Sequence, residues 1–332
     1  MRAVRAAIPA GFDEWFWDGD ALVVGTPRRP GVPLVTLAGH VDTVPAQDNF
    51  PGRMTETQVI GLGASDMKAG IAVMLELAEW VATTEHERAL DVALVIFARE
   101  ELPVVESPLP AAFAACPELL ATQLAVVLEP TDNTIQAGCV GNLNATLRFR
   151  GVAAHSARPW TGDNAIAHAV AGLAGVVGVP PRTVEIEGLF FTEVVSVTRI
   201  QGGVADNVIP DLVECHINYR FAPDRSPEDA IAEVHRLVGG GAELEILSVS
   251  ASGRVAPSSE LLGRLAASGG FAIAPKQAWT PVAQFTAVGV DAVNLGPGAT
   301  AMAHTRGELV VIGEMERTCR ALQEWIAPGA GA

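Results

Sequence analysis

The chain has 332 residues, of which 49% are hydrophobic, and 22 basic against 38 acidic residues give it a net charge of -16. A chain of this length can form one large α/β domain or two domains with a substantial core. The charge argues against a nucleic-acid or anionic-membrane partner, because such partners are bound through basic clusters, and an anionic substrate would need a local arginine pocket.

The cysteines and the first residues bear on the location of the protein. The four cysteines have no Cys-x-x-Cys spacing, which favours reduced thiols over disulfides or a thiolate metal site. The N-terminal stretch lacks the continuous apolar segment of a signal peptide, and no apolar run reaches the roughly 18 residues of a membrane span. We therefore predict a cytoplasmic protein.

The first part of the chain alternates short apolar runs with helical patterns. The runs are ALVVG, PLVTLAGHVD, DVALVIFA and LAVVLEP, and an apolar-periodic stretch from Met67 to Val81 lies between the second and third. This order predicts an α/β layer with a largely parallel central sheet. Ligand sites of such sheets lie beyond the carboxyl ends of the strands.

The pattern changes near residue 143. The alternating strands NATLRFRG and DLVECHINYRF and the helical SPEDAIAEVHRLV indicate a small α+β sandwich with an antiparallel sheet. The α/β pattern returns after residue 252. We predict a discontinuous domain of residues 1–142 and 253–332 with an inserted domain of residues 143–252.

Polar side chains stand at the predicted strand ends, and each has an ordinary explanation when taken alone. His40 and Asp42 lie two apart on a strand, so that the carboxylate can bind one imidazole nitrogen while the other nitrogen binds a metal. A polar strand end is the alternative. Asp66, in GLGASDMKAG, could simply cap the helix that follows.

Two adjacent glutamates, Glu100 and Glu101, end the run LVIFAREELP. Neighbouring side chains on an extended chain point in different directions, so one carboxylate can bind a metal while the other moves a proton. A solvated loop before Pro103 is the alternative. Glu129 ends LAVVLEP in the same way, and His304 follows the glycine-rich turn of GPGATAMAHTRGE.

Taken together, these residues form a set of carboxylates and imidazoles without thiolates. Such a set suits zinc, cobalt or manganese in an open catalytic site. The number of ligands fits a pair of ions better than one ion. If Asp66 bridges the pair, each ion receives one His and one Glu, and room remains for a water that can attack a carbonyl.

The motifs HVDTVP, GLGASDMKAG, EE, LEPT and GPG before His304 resemble, in this order, the co-catalytic zinc aminoacylase and carboxypeptidase family. That family includes succinyl-diaminopimelate desuccinylase and acetylornithine deacetylase, and the resemblance is greatest to the actinobacterial type of desuccinylase. It implies a zinc-peptidase-like α/β catalytic domain, formed by residues 1–142 and 253–332. Residues 143–252 would form a dimerisation or lid domain in a homodimer.

The resemblance also implies roles for the residues at the strand ends. Glu100 would be the general base and acid, and Asp42 would orient His40. The ligands of the two ions would be His40, Asp66 and Glu129 for one and Asp66, Glu101 and His304 for the other.

Further residues match the family outside the ligand set. His155, in AAHSARP, matches a histidine that reaches across the dimer to the developing oxyanion, with a capping histidine as the alternative. Asn207 and Arg220 match residues that bind substrate carboxylate or amide groups, although a surface salt bridge is the alternative for Arg220. Gly296 would shape the loop near the substrate.

The predicted activity is hydrolysis of an N-acyl amide on an amino acid, and the substrate nearest by resemblance is N-succinyl-LL-diaminopimelate, of lysine biosynthesis. Pro281 and Gln284 stand where relatives commonly have Asp and Arg, and Gly307 stands where an acidic residue is common. These departures leave open a deacylase of another N-acyl amino acid, acetylornithine-like or otherwise, or a dipeptidase. A non-catalytic binding protein that kept the fold is a third alternative. Arg99, beside the two glutamates, has no role in this scheme.

Overall fold

A computed structural model of the chain describes residues 1–83, 88–256 and 259–327. The chain forms two compact units. The first contains Met1–Gly138, Arg254–Pro275 and the chain from Pro281 onward, and the second contains Cys139–Gly253 and Lys276–Thr280. The sequence pattern places the insertion at 143–252 and does not indicate the segment Lys276–Thr280, because five residues show no periodicity of their own.

The strands and helices are numbered along the whole chain, so that each unit carries part of the series. The strands of the first unit are β1 (Asp13–Trp17), β2 (Ala21–Gly25), β3 (Leu34–His40), β4 (Arg53–Met54), β5 (Gln58–Ile60), β6 (Asp91–Phe97), β7 (Thr122–Val127), β8 (Ile135–Ala137), β16 (Ile273–Pro275), β17 (Ala292–Asn294) and β18 (Leu309–Val311). Its helices are α1 (Arg2–Ala6), α2 (Ala69–Thr83), α3 (Leu109–Ala115), α6 (Glu260–Gly269), α7 (Val282–Ala287) and α8 (Ile312–Ile326).

The second unit contains the remaining elements. These are the strands β9 (Gly141–Arg150), β10 (Ala154–His155), β11 (Arg182–Ile186), β12 (Leu189–Gly202), β13 (Val208–Ile209), β14 (Leu212–Phe221) and β15 (Glu243–Ser250), with helices α4 (Ala165–Val177) and α5 (Pro227–Val238).

An eight-stranded mixed sheet forms the centre of the first unit, in the order β1-β2-β6-β3-β7-β17-β8-β16. The pairs β6-β3, β3-β7 and β7-β17 in its middle are parallel. Every residue of β2, β3 and β6 is buried, which explains why these strands read as continuous apolar runs rather than as alternating patterns. The predicted α/β layer with a largely parallel sheet is confirmed.

A small antiparallel sheet of β18, β5 and β4 lies beside this core in the first unit. Leu309 of β18 pairs with Ile60 of β5. The pairing brings the chain after His304 next to the glycine-rich segment that precedes α2.

The second unit is a five-stranded antiparallel sheet, in the order β11-β12-β14-β9-β15, with α4 and α5 on one face. Strand β14 alternates strictly between buried and half-buried residues, as a strand with one covered face must. Asn164 caps α4, and Ser226 and Asp229 form a capping box at the start of α5. The predicted α+β sandwich is confirmed.

In the described part of the chain, no helix combines the length and the apolar character needed to cross a membrane.

Candidate metal centre

Three neighbouring parallel strands deliver candidate ligands to one edge of the central sheet. His40 is the last residue of β3, Glu100 and Glu101 follow the end of β6, and Glu129 follows the end of β7. Because β6, β3 and β7 are adjacent and parallel, their carboxyl ends meet at the same edge.

The Asp66 carboxylate lies between two imidazoles. Its Oδ1 is 3.2 Å from His40 Nε2, and its Oδ2 is 3.4 Å from His304 Nε2. Glu101 Oε1 lies 3.1 Å from the same nitrogen of His304, and Glu129 Oε1 lies 3.8 Å from His40 Nε2. The structure thus brings all five predicted ligands together, in the two groups that share Asp66.

Asp42 contacts the ring of His40 and also the main chain of both glutamates. Its Oδ1 lies 3.4 Å from His40 Nδ1. Its two carboxylate oxygens accept hydrogen bonds from the backbone N–H groups of Glu100, at 3.2 Å, and Glu101, at 3.1 Å. One carboxylate therefore holds a candidate ligand and the turn that carries the adjacent glutamates.

Arg99 turns the chain at this point and faces away from the candidate ligands. It has a left-handed backbone with φ of 66°, which is uncommon for a residue other than glycine. Its guanidinium lies 3.0 Å from the Asp20 carboxylate and 4.0 Å from that of Glu106. Its charge therefore pairs with carboxylates outside the candidate site.

Burial and neighbouring carboxylates raise the pKa of both adjacent glutamates. Burial raises the pKa of Glu100 to about 8, and the charge of Glu129 adds to this effect. Burial and Asp66 likewise raise the pKa of Glu101, against the opposing charge of His304. Keeping these carboxylates ionised side by side therefore costs free energy, and a bound cation would offset that cost.

Burial and partners act in opposite directions on His40 and Asp42. Burial lowers the pKa of His40, but hydrogen bonds to Asp42 and Asp66 and the charges of Glu129 and Glu100 outweigh it and hold the pKa well above its usual value. Burial raises the pKa of Asp42, but His40 and the two backbone N–H groups outweigh it and lower the pKa.

This donor set fits divalent metal ions. His40, Asp66 and Glu101 each offer a ligand atom within 4.8 Å of the others. The set mixes imidazole nitrogens with carboxylate oxygens and contains no thiolate, and this mixture suits an open catalytic site for zinc or a similar ion.

The glycine-rich turn before His304 packs directly on the strand end that carries Glu129. A Cβ atom on Gly296 would lie 2.4 Å from the carbonyl oxygen of Leu128. The Gly296 N–H donates to Thr131 Oγ1, and its carbonyl accepts from the same hydroxyl. Gly296 thus permits a close approach, while its predicted contact with substrate stays a prediction.

The three residues that differ from the family pattern all lie in the first unit. Pro281 precedes the first turn of α7, and Gln284 in that helix accepts a hydrogen bond from Ser107 at 3.2 Å. Gly307 is exposed, with open space where a Cβ atom would point, so the fold itself accepts a side chain there.

The predicted oxyanion and substrate residues lie in the second unit. His155 is exposed, and its Nδ1 accepts a hydrogen bond from the Ala157 N–H at 3.0 Å. Asn207 is exposed in the turn before β13. Arg220 in β14 is half-buried and donates from Nε to Asn218 at 3.0 Å.

Two residues that contact this centre are not predicted by the sequence pattern. Glu308 is buried and binds the backbone of the Asp66 segment, although it belongs to the same GPGATAMAHTRGE motif as His304. Met67 Sδ accepts the His40 N–H at 3.3 Å. The position of Glu308 four residues after His304 is the only signal in the sequence, and periodicity does not reveal a buried carboxylate in a loop.

Comparisons with known proteins agree with this architecture. Residues 22–136 match the model of peptidase family M28, and residues 138–243 match the peptidase dimerisation domain of the M20 family. One relative is a Mycobacterium tuberculosis protein named as a candidate succinyl-diaminopimelate desuccinylase DapE. It is 40% identical to this chain over 328 residues, an alignment that covers 98% of this chain and 91% of that protein. Succinyl-diaminopimelate desuccinylase of Corynebacterium glutamicum is 36% identical over 298 residues, or 88% of this chain and 80% of that one.

Solved structures show the same fold at low sequence identity. Aminopeptidase PepT of Bacillus cereus has a TM-score of 0.78 at 19% identity, covering 98% of this chain and 91% of that one. The M20 family metallo-carboxypeptidase Sso-CP2 of Sulfolobus solfataricus has a TM-score of 0.73 at 13% identity, with the same coverage of 98% and 91%. Through its sequence relatives and its fold, the chain belongs to the M20 family of metallopeptidases, as a relative of the succinyl-diaminopimelate desuccinylases, and is a hydrolytic enzyme acting on amide bonds.

Proposed function

We propose that this enzyme hydrolyses N-succinyl-LL-diaminopimelate to succinate and LL-diaminopimelate, a step of lysine biosynthesis. The observation that carries the proposal is the Asp66 carboxylate, whose two oxygens face different imidazoles at 3.2 and 3.4 Å. A carboxylate in this position can bridge a pair of ions of the kind used in amide hydrolysis. The choice of substrate rests on the names of the two sequence relatives.

The proposed ligand sets follow the two groups around Asp66. His40 and Glu129 would hold one ion with Asp66, and Glu101 and His304 would hold the other. The ions are proposed to be zinc, with cobalt or manganese able to use the same donors. When bound, such ions polarise the amide carbonyl and make the attacking water more acidic.

Glu100 is proposed as the group that moves the proton. Its Oε2 lies 4.0 Å from His40 Nε2, so it borders the space enclosed by the ligands. In this scheme Glu100 takes a proton from the attacking water and later donates it to the departing amine. Asp42 fixes the backbone of Glu100 and orients the ring of His40.

His155 is proposed to stabilise the oxyanion that develops on the carbonyl oxygen in the partner subunit. Its Nδ1 already accepts the Ala157 N–H, which places the proton of the neutral ring on Nε2. An exposed Nε2–H is a donor ready for a negatively charged oxygen.

Arg220 and Asn207 are proposed to bind the carboxylate and amide groups of the substrate, with Gly296 shaping the loop nearby. Asn218 accepts from Arg220 Nε and donates to Asn142 and Asn144, at 2.7 and 2.8 Å, so the guanidinium is held by a row of amides across the sheet. A fixed guanidinium can bind a carboxylate by two parallel hydrogen bonds, which supplies local positive charge in an acidic protein.

A homodimer is proposed, in which the first unit is catalytic and the second unit mediates dimerisation. The match of residues 138–243 to a dimerisation domain supports it. So does the surface formed by α4 and β12, where Val170, Val177 and Ile200 are 69%, 70% and 59% exposed. Exposed apolar side chains of this size, grouped on one face, are typical of a protein interface.

The cytoplasm is the proposed location, with neither nucleic acid nor membrane as a partner. The four cysteines are all buried thiols, as expected of a reducing compartment.

Steady-state rates on a panel of amides would test the proposed substrate. The protein would be stripped with a chelator, reloaded with zinc or cobalt, and assayed on N-succinyl-LL-diaminopimelate, N-acetylornithine and several dipeptides. We expect the highest kcat/KM on the succinyl compound and restoration of activity by the metal. A preference for another amide would support the alternative deacylase or dipeptidase, and well under one bound ion per chain would support a binding protein.

A further inference from the structure

Glu308 is a buried carboxylate that binds the backbone of the segment carrying Asp66. Glu308 is only 2% exposed to solvent. Oε2 accepts the Gly63 N–H at 3.0 Å, and Oε1 accepts the N–H groups of Ser65 at 3.0 Å and of Asp66 at 2.9 Å. Hydrogen bonds to an ionised acceptor are roughly twice as strong as those between neutral groups.

The main chain of Glu308 binds the same segment. Its carbonyl oxygen accepts the Gly61 N–H at 2.9 Å, and the next residue, Leu309, pairs with Ile60. One residue thus binds the chain at Gly61, Gly63, Ser65 and Asp66. A short strand pairing fixes Glu308 itself.

The Asp66 segment has little regular structure that could position it otherwise. Asp66 lies before α2 with φ of -116° and ψ of 97°, which is outside the helical range, and Gly63 has a left-handed backbone with φ of 75°. Backbone N–H groups that precede a helix have no partner within the helix. Glu308 supplies a partner for three of them.

We propose that Glu308 is a positioning residue that sets the Asp66 carboxylate between the two imidazoles. It accepts the N–H of Asp66 itself, and it lies four residues after His304, whose Nε2 is 3.4 Å from Asp66 Oδ2. A shift of this backbone would move Asp66 away from His40 or from His304. The proposal rests on the proposed role of Asp66 as a shared ligand.

The substitution Glu308→Gln tests the proposal, with zinc affinity as the measurement. Glutamine keeps the size of the side chain but offers one oxygen, and its NH₂ group would face a backbone N–H. We expect zinc affinity, measured by competition with a chromogenic chelator, to fall by about 10- to 100-fold, the effect typical of residues that orient metal ligands. If this variant yields no folded protein, Glu308→Asp, which keeps the charge but is one methylene shorter, should lose at least several-fold.

Asp91→Asn is the matched control. Asp91 is also a fully buried carboxylate of the first unit, and it binds Arg28, Arg29 and the Arg29 N–H. It begins β6, roughly 20 Å of strand away from Glu100 and Glu101. We expect this variant to lose stability while it binds zinc as the unchanged protein does.

The outcomes separate the positioning role from a general structural role and from the proposed function. Unchanged zinc affinity in the Glu308 variant, or an equal loss in the Asp91 variant, would overturn the positioning role. If the unchanged protein bound well under one zinc ion per chain, the proposed function would fail instead, whatever the variants did.

Discussion

At the scale of single residues, Glu100 and Glu101 are neighbours in the chain, yet they face different imidazoles. Glu101 Oε1 is 3.1 Å from His304 Nε2, and Glu100 Oε2 is 4.0 Å from His40 Nε2. The left-handed turn at Arg99 and the two hydrogen bonds to Asp42 fix this arrangement. One step along the chain therefore separates the proposed ligand from the proposed base.

The substitution Glu100→Gln should separate chemistry from metal binding. Glutamine keeps the shape of the side chain but cannot take a proton from the attacking water. We expect kcat to fall by about 10² to 10⁴-fold, the usual contribution of a general base, while the metal content stays at the level of the unchanged protein. Activity assays paired with metal analysis check both expectations.

Loss of metal together with activity in this variant would show that the roles of Glu100 and Glu101 are assigned the wrong way round. Glu101→Gln is the matched control, because the same chemical change one residue later should lower the metal content.

Sequence reasoning predicts the residues of this centre better than their contacts. The five candidate ligands and Asp42 stand in recognisable motifs at the ends of apolar runs. The ion pairs of the Arg99 side chain do not follow from those motifs, and neither do the hydrogen bonds that Asp42 accepts from two backbone N–H groups. Both depend on a turn whose backbone angles local composition does not specify.

At the scale of elements, the parallel strands β6, β3 and β7 position the site, and a buried ion-pair cluster at the far end of β6 stabilises the sheet away from it. Asp91, the first residue of β6, is fully buried. It accepts hydrogen bonds from Arg28 Nη1 at 2.9 Å, the Arg29 N–H at 2.8 Å and Arg29 Nε at 2.7 Å. These contacts tie the chain after β2 to the start of the strand that leads to Glu100.

The substitution Asp91→Asn should lower the free energy of unfolding by about 3 kcal/mol. Removing one partner of a buried ion pair leaves the other charge uncompensated, and the lower end of the usual range applies because both arginine side chains are 35% exposed. Urea denaturation of the metal-free protein, followed by circular dichroism, measures the change. A loss below about 1 kcal/mol would show that the arginines find equivalent partners in water.

Element prediction succeeds where burial dictates the pattern. Strands β2, β3 and β6 read as apolar runs because both of their faces are covered, and β14 alternates because one face is open. Short strands such as β5 and β18 give no such signal. Their pairing nevertheless places Glu308 beside the Asp66 segment.

At the scale of the whole molecule, the chain divides into one unit with the candidate metal centre and another with His155 and Arg220. Family membership supports a dimerisation role for the second unit. If His155 acts on the site of the partner subunit, the two kinds of site residue can be supplied by different chains.

Mixed dimers of a Glu100→Gln chain and a His155→Ala chain test this arrangement. Neither homodimer should be active, whereas a mixed dimer purified through two different tags should regain about half of the normal rate, because one of its two sites has both intact residues. Steady-state assays of the three dimers measure the recovery. No recovery in the mixed dimer would place His155 at the site of its own chain.

The amino-acid sequence predicts the kinds of groups and their order: an α/β layer with polar strand ends, an inserted α+β sandwich, and a donor set of carboxylates and imidazoles. These features depend on burial and residue chemistry, which local pattern records. The shared position of Asp66 is already implied by the sequence motifs, whereas the contact of Glu308 with the Asp66 segment becomes evident only in the folded chain. The hydrogen bond between Glu308 and the Asp66 N–H joins residues 242 positions apart, and contacts over such distances exist only once the sheet has brought the segments together.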